Sequence, residues 1–172
     1  YKDIYTVGCF DHFHRGHSIL LNKMKEHGDR LIVGIHDDAS IQKLKNLTLD
    51  EHDNIYKRME NVKRIADVVY IIPDTDPTEC LRNIISKKAN DKNSCYIRGN
   101  DMPNFPGRDL VETIMPIMFL PYTQGISATM LRKLDKERAD QCSDTEGTEL
   151  MSTICVLVIL FLILMGIFNG RI

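Results

Sequence analysis

The chain has 172 residues, of which 22 are Lys or Arg and 24 are Asp or Glu, for a formal net charge of −2. That length suits one α/β domain with an appendage rather than two ordinary domains, and the balanced charge excludes a general electrostatic pull toward nucleic acid or anionic lipid. The five cysteines, Cys9, Cys80, Cys95, Cys142 and Cys155, form no C-x-x-C pair, which argues against a zinc or dithiol site and suits a reducing compartment.

The β-branched and aromatic run at 4–7 predicts a strand. It leads through Gly8-Cys9-Phe10-Asp11 to His14-Arg15-Gly16-His17, after which Ile19, Leu20, Leu21 and Met24 recur at helical spacing. His14 and His17 therefore fall at a strand-to-helix junction, with both imidazoles on one face of the first turn. Gly16 leaves the backbone open to close approach, and first-turn amides, helix dipole and imidazole donors together suit an anion. The chemistry indicated is phosphate handling.

Residues 30–35, apolar after Arg30, read as a strand buried on both faces, as in the interior of a parallel sheet. Residues 39–44 predict a short helix, whereas the polar stretch 45–53 lacks periodicity and reads as a mobile loop. A helix over 54–66 places Ile55, Met59, Val62 and Ala66 on one face, and it feeds a strand at 68–72 that Pro73 stops. The alternation continues with a helix over 77–88, Pro77 suiting its first turn, and a strand at 95–97. A loop dense in turn formers follows at 99–107, then a short helix at 109–113 and a strand at 117–120 ended by Pro121. Ser127 suits the N-cap of a final helix whose apolar side is Met130, Leu131 and Leu134.

Strands alternating with helices predict a doubly wound, Rossmann-like parallel sheet of about five strands, with its ligand outside the carboxyl ends of the strands at a topological switch point. Neither G-x-G-x-x-G nor G-x-x-x-x-G-K-[ST] occurs, so phosphate must be held another way. The domain is expected to span 1–138, with a polar linker at 139–149. Residues 150–170 carry no charge and form a candidate transmembrane helix, since about 20 residues at roughly 1.5 Å each match a bilayer core. No signal-peptide pattern opens the sequence, which together with phosphate chemistry favours a membrane-associated protein whose catalytic domain faces the cytosol.

Gly8-Cys9-Phe10-Asp11 followed by His14-x-Gly16-His17 resembles the G-T-F-D-x-x-H-x-G-H signature of the nucleotidylyltransferase superfamily, and of its cytidylyltransferases in particular, with Cys9 in place of threonine. Gly125-Ile126-Ser127-Ala128-Thr129-Met130-Leu131-Arg132 resembles the family's closing motif, I-S-[ST]-[ST]-x-[IL]-[RK]. The resemblance covers about 5–134. It implies that Gly8, Cys9, Phe10, Asp11, His14, Gly16 and His17 surround the nucleotide, with His14 and His17 holding its triphosphate. It further implies that Ser127, Thr129 and Arg132, beside Gly125 and Ile126, hold the distal phosphates. Lys45 stands where the cytidylyltransferases place a lysine that bridges the two reactants, with Lys43 as a competitor. Asn100 and Tyr122 fall at nucleotide-contacting positions, and Asp101 at an acceptor-contacting one. Tyr122-Thr123-Gln124 replaces the R-T-E that commonly precedes the last helix, and only Lys57 or Arg58 stands in for an arginine near the start of the 54–66 helix.

The implied reaction is attack of a phosphorylated acceptor on the α-phosphate of CTP, with Mg²⁺ brought by the triphosphate and pyrophosphate released. The acceptor would be a small phosphorylated alcohol such as phosphocholine, phosphoethanolamine or glycerol 3-phosphate, in phospholipid precursor synthesis. Ile97-Arg98-Gly99 looks more like the I-R-G of pantetheine-phosphate adenylyltransferases, so an ATP-using enzyme of the same fold, of that or the FMN type, is the alternative, followed by a degenerate nucleotide-binding module. No nucleic-acid partner is expected, and a homodimer is a further expectation from the family.

Overall fold

A computed structural model describes residues 1–85, 93–121, 129–134 and 136. The chain divides into two compact units, Tyr1–Arg132 and Lys133–Ile172, and the described elements belong to the first. In chain order they are β1 (Asp3–Gly8), α1 (Arg15–Lys25), β2 (Arg30–His36), α2 (Asp38–Lys45), a 3-10 turn (Leu49–Glu51), α3 (Ile55–Lys63), β3 (Val68–Ile72), α4 (Thr78–Ile85), β4 (Ser94–Gly99), α5 (Arg108–Ile114) and β5 (Ile117–Leu120). Residues 129–134 are helical. The linker at 139–149 and the candidate span at 150–170 lie outside the described residues. Among the described residues no helix is long and apolar enough to cross a membrane.

The strands form one parallel sheet of five in the order β3-β2-β1-β4-β5. Both faces are covered around the central strands, which is why β2 reads as an apolar run between Arg30 and His36. On one face α1 and α3 bring Leu21, Met24 and Val62 against Ile4, Leu31, Val33, Ile35, Cys95 and Ile97. Residues Ile55, Met59, Val62 and Ala66 all contribute to this core, as their spacing predicts. On the other face α4 and α5 bring Leu81, Ile85 and Val111 against Tyr5, Val7, Ile32, Ile72 and Tyr96. Each fully buried Leu, Ile or Met contributes about 1.5–3 kcal/mol through the apolar surface it removes from water. Gly34 keeps the second face tight, because a Cβ there would meet Ile72 Cδ1 and Val7 Cγ2 at 3.0 Å.

The chain adds β2 and β3 on one side of β1, then crosses back to add β4 and β5 on the other. The connections after β1 and β4 therefore diverge to opposite faces, opening a crevice at the carboxyl ends of these neighbouring strands. The motif after β1 and the residues Arg98, Gly99, Asn100 and Asp101 at the end of β4 all meet this edge of the sheet.

Candidate active site

The turn after β1 is built around a buried aromatic ring. A Cβ on Gly8 would lie 2.9 Å from Phe10 Cε2, so only glycine lets the Phe10 ring fold back against the strand. Phe10 and His12 have φ of 50° and 43°, left-handed backbone that non-glycine residues rarely adopt and that the surroundings must hold in place. Asp11 supplies that hold. Fully buried, it accepts the Asp53 amide on Oδ1 at 2.9 Å and Arg132 Nη1 on Oδ2 at 2.5 Å. Its carboxylate thus ties the motif to the start of α3 and to the helical segment 129–134.

His14 is the N-cap of α1, and its Nδ1 accepts the Gly16 amide at 3.1 Å. An accepting Nδ1 places the proton of the neutral ring on Nε2, which becomes an outward donor. His17 stacks on His14 with ring centroids 3.9 Å apart, and Phe10 and Phe13 each approach its ring at 5.5 Å. Its Nδ1 is sealed without a partner, leaving Nε2 to meet a ligand. Burial, then the neighbouring His14 and Lys45, push the His17 pKa down to about 3. Burial and Lys45 lower that of His14 as well. Both rings are therefore neutral near pH 7, so the site offers two hydrogen-bond donors without packing two imidazolium charges together.

The positive charge comes from around them. Lys45 is the last residue of α2 rather than part of an irregular loop: Asp37 caps the helix start, Asn46 closes it in left-handed conformation, and the helix runs past the expected end at Leu44. The stretch that follows is also more ordered than its composition predicts. Thr48 and Glu51 form a capping box, His12 Nε2 lies 3.3 Å from the Glu51 carbonyl, and the Asp53 amide is bonded to Asp11. Lys45's ammonium bears electrostatically on His14, His17 and Cys9, whereas Lys43 bears on Asp74. The structure therefore brings Lys45 to the histidines and directs Lys43 elsewhere. Arg58 and Arg98 add their fields at Cys9, whose thiol burial keeps protonated.

The two stand-ins for the arginine expected near the start of α3 occupy opposite environments. Lys57 is on the surface, paired with Asp53 at 2.7 Å. Arg58 is fully buried and donates to the carbonyls of Asp53 (2.9 Å), Cys9 (2.9 Å) and His36 (2.6 Å) and to Asp38 Oδ1 (2.7 Å). It clamps the ends of β1 and β2 from beneath. At the end of β4, the Asp101 carboxylate folds over Gly99, where a Cβ would sit 2.4 Å from Asp101 Oδ1, and the Asn100 amide donates to the Leu120 carbonyl. Thr129 Oγ1 accepts Arg132 Nη2 at 3.2 Å, so Arg132 is engaged by Asp11 and Thr129. Tyr122, Gly125, Ile126 and Ser127 lie outside the described residues.

Sequence marks Arg98 only through the I-R-G likeness and Arg58 only as a stand-in arginine; His36 and the hub role of Arg58 have no sequence signal beyond a place at a strand end and in an early helical turn. A concavity of about 550 Å³ between α4 and α5 contains none of the motif residues. No cluster of three His, Cys, Asp or Glu able to hold a metal occurs among the described residues.

Comparison with known proteins agrees with this geometry. Residues 5–134 match the family model described as cytidylyltransferase-like. The chain is 32% identical over 134 residues to mouse ethanolamine-phosphate cytidylyltransferase, covering 74% of this chain and 31% of that one. It is 30% identical over 134 residues to glycerol-3-phosphate cytidylyltransferase of Bacillus spizizenii, covering 77% and 95%. It is also 30% identical over 133 residues to the bifunctional protein HldE of Shewanella sediminis, covering 74% and 26%. It thus spans less than a third of the length of two of these relatives and nearly all of the third. Among solved structures, the lipopolysaccharide core biosynthesis protein of Thermoplasma volcanium shares the fold, with a TM-score of 0.53 at 18% identity over 71% of this chain and 98% of that one. From the paired histidines at the mouth of its parallel sheet to the match across 5–134, the chain belongs to the cytidylyltransferase-like family of nucleotidyltransferases.

Proposed function

We propose that this chain transfers CMP from CTP to a small phosphorylated alcohol and releases pyrophosphate. The observation that carries the reading is the pair of stacked, neutral imidazoles at the start of α1 beside the Lys45 ammonium. A phosphate oxygen of the acceptor attacks the α-phosphorus, the bond to the bridging oxygen breaks, and pyrophosphate leaves with that electron pair. The nucleophile is already anionic, so no side chain has to take a proton from it, and catalysis rests on positioning and charge. His14 and His17 donate from Nε2 to triphosphate oxygens, helped by the first amides of α1. Lys45 neutralises charge shared between the reactants. Asp11, with its oxygens taken by Asp53 and Arg132, shapes the turn rather than touching phosphate.

Mg²⁺ would come to this site as a companion of the triphosphate, held by phosphate oxygens and water; among the described residues no cluster of three His, Cys, Asp or Glu is placed to ligate it. There it would screen the pyrophosphate leaving group. Ser127 and Thr129 fit contacts to the distal phosphates, and Asn100, Asp101 and Tyr122 fit contacts to nucleotide and acceptor. The uncharged run at 150–170 favours attachment to a membrane with the catalytic domain on the cytosolic side, which suits supply of phospholipid precursors. A second copy of the chain is a further expectation, tested by sedimentation.

The second reading is an adenylyltransferase of the same fold, favoured by Arg98 between Ile97 and Gly99. Pyrophosphate release by the whole chain, with Mg²⁺, CTP or ATP, and phosphocholine, phosphoethanolamine, glycerol 3-phosphate or phosphopantetheine, separates the readings. Turnover with CTP and one phosphorylated alcohol, lost in His17→Ala, is the expected result. Turnover only with ATP establishes the second reading, and silence with every pair overturns both.

A further inference from the structure

Side-chain alternation, carried one residue past the end of β1, puts three residues from neighbouring chain segments on the same face at the carboxyl edge of the sheet. Ile32 of β2, Tyr5 and Val7 of β1 and Tyr96 of β4 all pack toward α4 and α5, so His36, Cys9 and Arg98 continue the same face beyond them. The Arg98 charge bears on both Cys9 and His36, as expected of one cluster. The row crosses the switch point, on the face opposite the one that α1 covers.

Its ends have complementary chemistry. His36 is buried at the end of β2, with Nδ1 2.8 Å from the Asp74 carbonyl. A carbonyl only accepts, so Nδ1 carries the hydrogen and Nε2 of the neutral ring holds a lone pair. That Nε2 has no hydrogen-bond partner among the described residues and is not sealed from solvent. At the other end, the Arg98 guanidinium lies 4.7 Å over the Phe105 ring, which itself stacks on Tyr96 at 5.1 Å. Its polar neighbours are the Met102 sulfur at 3.8 Å and the Tyr96 hydroxyl, and it has no carboxylate partner among the described residues. Between them the protonated Cys9 thiol adds no charge. Among the described residues the row therefore offers a cation without a carboxylate partner at one end and a fixed hydrogen-bond acceptor at the other.

We propose that His36, Cys9 and Arg98 form the acceptor subsite and select a phosphorylated polyol, Arg98 taking its phosphate and His36 Nε2 accepting a hydrogen bond from its hydroxyl. This rests on the transferase reading above. With strands about 4.8 Å apart, β2 and β4 are separated by roughly 10 Å, which a three-carbon phosphate spans once a guanidinium and an imidazole reach toward it. A hydroxyl fits better than an ammonium. Arg98 and Arg58 both bear on His36, against Asp37 alone, and the nearby Asp38 carboxylate is taken by Arg58 at 2.7 Å. Phosphocholine has no N–H or O–H to donate, and phosphoethanolamine brings a cation into a cationic field.

The test is calorimetric binding of glycerol 3-phosphate, phosphoethanolamine and phosphocholine to the whole chain, alongside pyrophosphate release with CTP. Glycerol 3-phosphate is expected to bind at least about tenfold more tightly than phosphocholine, in line with the cost of an unmatched polar group. In His36→Phe that preference disappears and the KM for the polyol rises at least about tenfold, while the KM for CTP holds; His36→Gln, which keeps an acceptor, recovers part of it. Equal binding of the three acceptors, failure of glycerol 3-phosphate to bind, or a preference that survives His36→Phe, overturns the proposal. Should that variant fail to fold, the binding order of the unaltered chain decides. Selective binding of the polyol without turnover supports the subsite and overturns only the transferase reading.

Discussion

The imidazole rings of His14 and His17 stack with centroids 3.9 Å apart and planes 22° from parallel. Such a stack is stable only while at least one ring is neutral, because two imidazolium charges that close repel. The consequence reaches folding. The folded-state pKa of His17 is about 3 against an ordinary 6.5, so between those values the unfolded chain binds a proton that the folded chain refuses. Stability from this residue is complete above about pH 6.5 and is lost as the pH falls toward 3. Urea unfolding followed by circular dichroism at pH 7, 5.5 and 4.5 should show a midpoint falling with pH. In His17→Gln, which cannot take up the proton, the fall should be smaller. Equal slopes in the two proteins would refute the assignment.

Lys43 and Lys45 differ by two positions on α2, about 200° around a helix, and their fields fall on different groups. Only Lys45 bears on the histidines. Lys45→Met should lower kcat with CTP by about 100-fold, the scale of losing one charge aimed at a transition state. Lys43→Met should stay within about twofold, since a surface substitution away from the site has little to disturb. Proton NMR titration should also find the His14 resonance shifting at higher pH in Lys45→Met, because Lys45 is one cause of its depressed pKa.

Local pattern in the sequence suffices for some of these residues and not for others. The strand Ile117–Leu120 appears with the bounds its apolar run predicts, and Ile55, Met59 and Val62 form the buried face their spacing predicts, because a two-sided sheet leaves no polar alternation to blur the periods. The polar composition at Lys45 predicts loop, whereas what keeps it helical is the left-handed closure at Asn46, a conformation and not a hydrophobic period. The resemblance marks Arg58 only as one of two stand-ins for an arginine, and no hydrophobic period announces its burial: its partner Cys9 is 49 residues away, and a charged residue in an amphipathic helix reads as solvated until the fold buries it. In the sequence His36 marks only the polar boundary of a strand, and its tautomer depends on a carbonyl 38 residues on.

Arg58 carries a prediction of its own. Its guanidinium is fully buried and satisfies three carbonyls and the Asp38 carboxylate. Arg58→Met should cost about 3–5 kcal/mol of stability, because it strands a partly buried carboxylate and unpaired carbonyls. Adding Asp38→Asn removes that stranded charge, so the double variant should be more stable than the sum of the single losses predicts. Additivity within about 0.5 kcal/mol in denaturant unfolding would show that the two residues do not act as a pair.

Arg132 and Asp11 are 121 residues apart in sequence and 2.5 Å apart in space, with the Arg132 side chain largely covered and Asp11 fully buried. Asp11 also holds the Asp53 amide, so one carboxylate fixes the motif turn, the start of α3 and the segment 129–134 together. If Arg132 instead belonged to the triphosphate, Arg132→Gln would raise the KM for CTP and leave the free protein unchanged. The geometry predicts a different pattern. Arg132→Gln and Asp11→Asn should each destabilise the free chain by about 1–3 kcal/mol, the cost of leaving a buried charged group with a poorer partner. The two losses should be strongly non-additive in a double-mutant cycle, whereas Asp11→Asn with Lys45→Met should be additive in stability. Denaturant unfolding without nucleotide measures all of these, and full additivity of the Arg132 and Asp11 variants would return Arg132 to the phosphates.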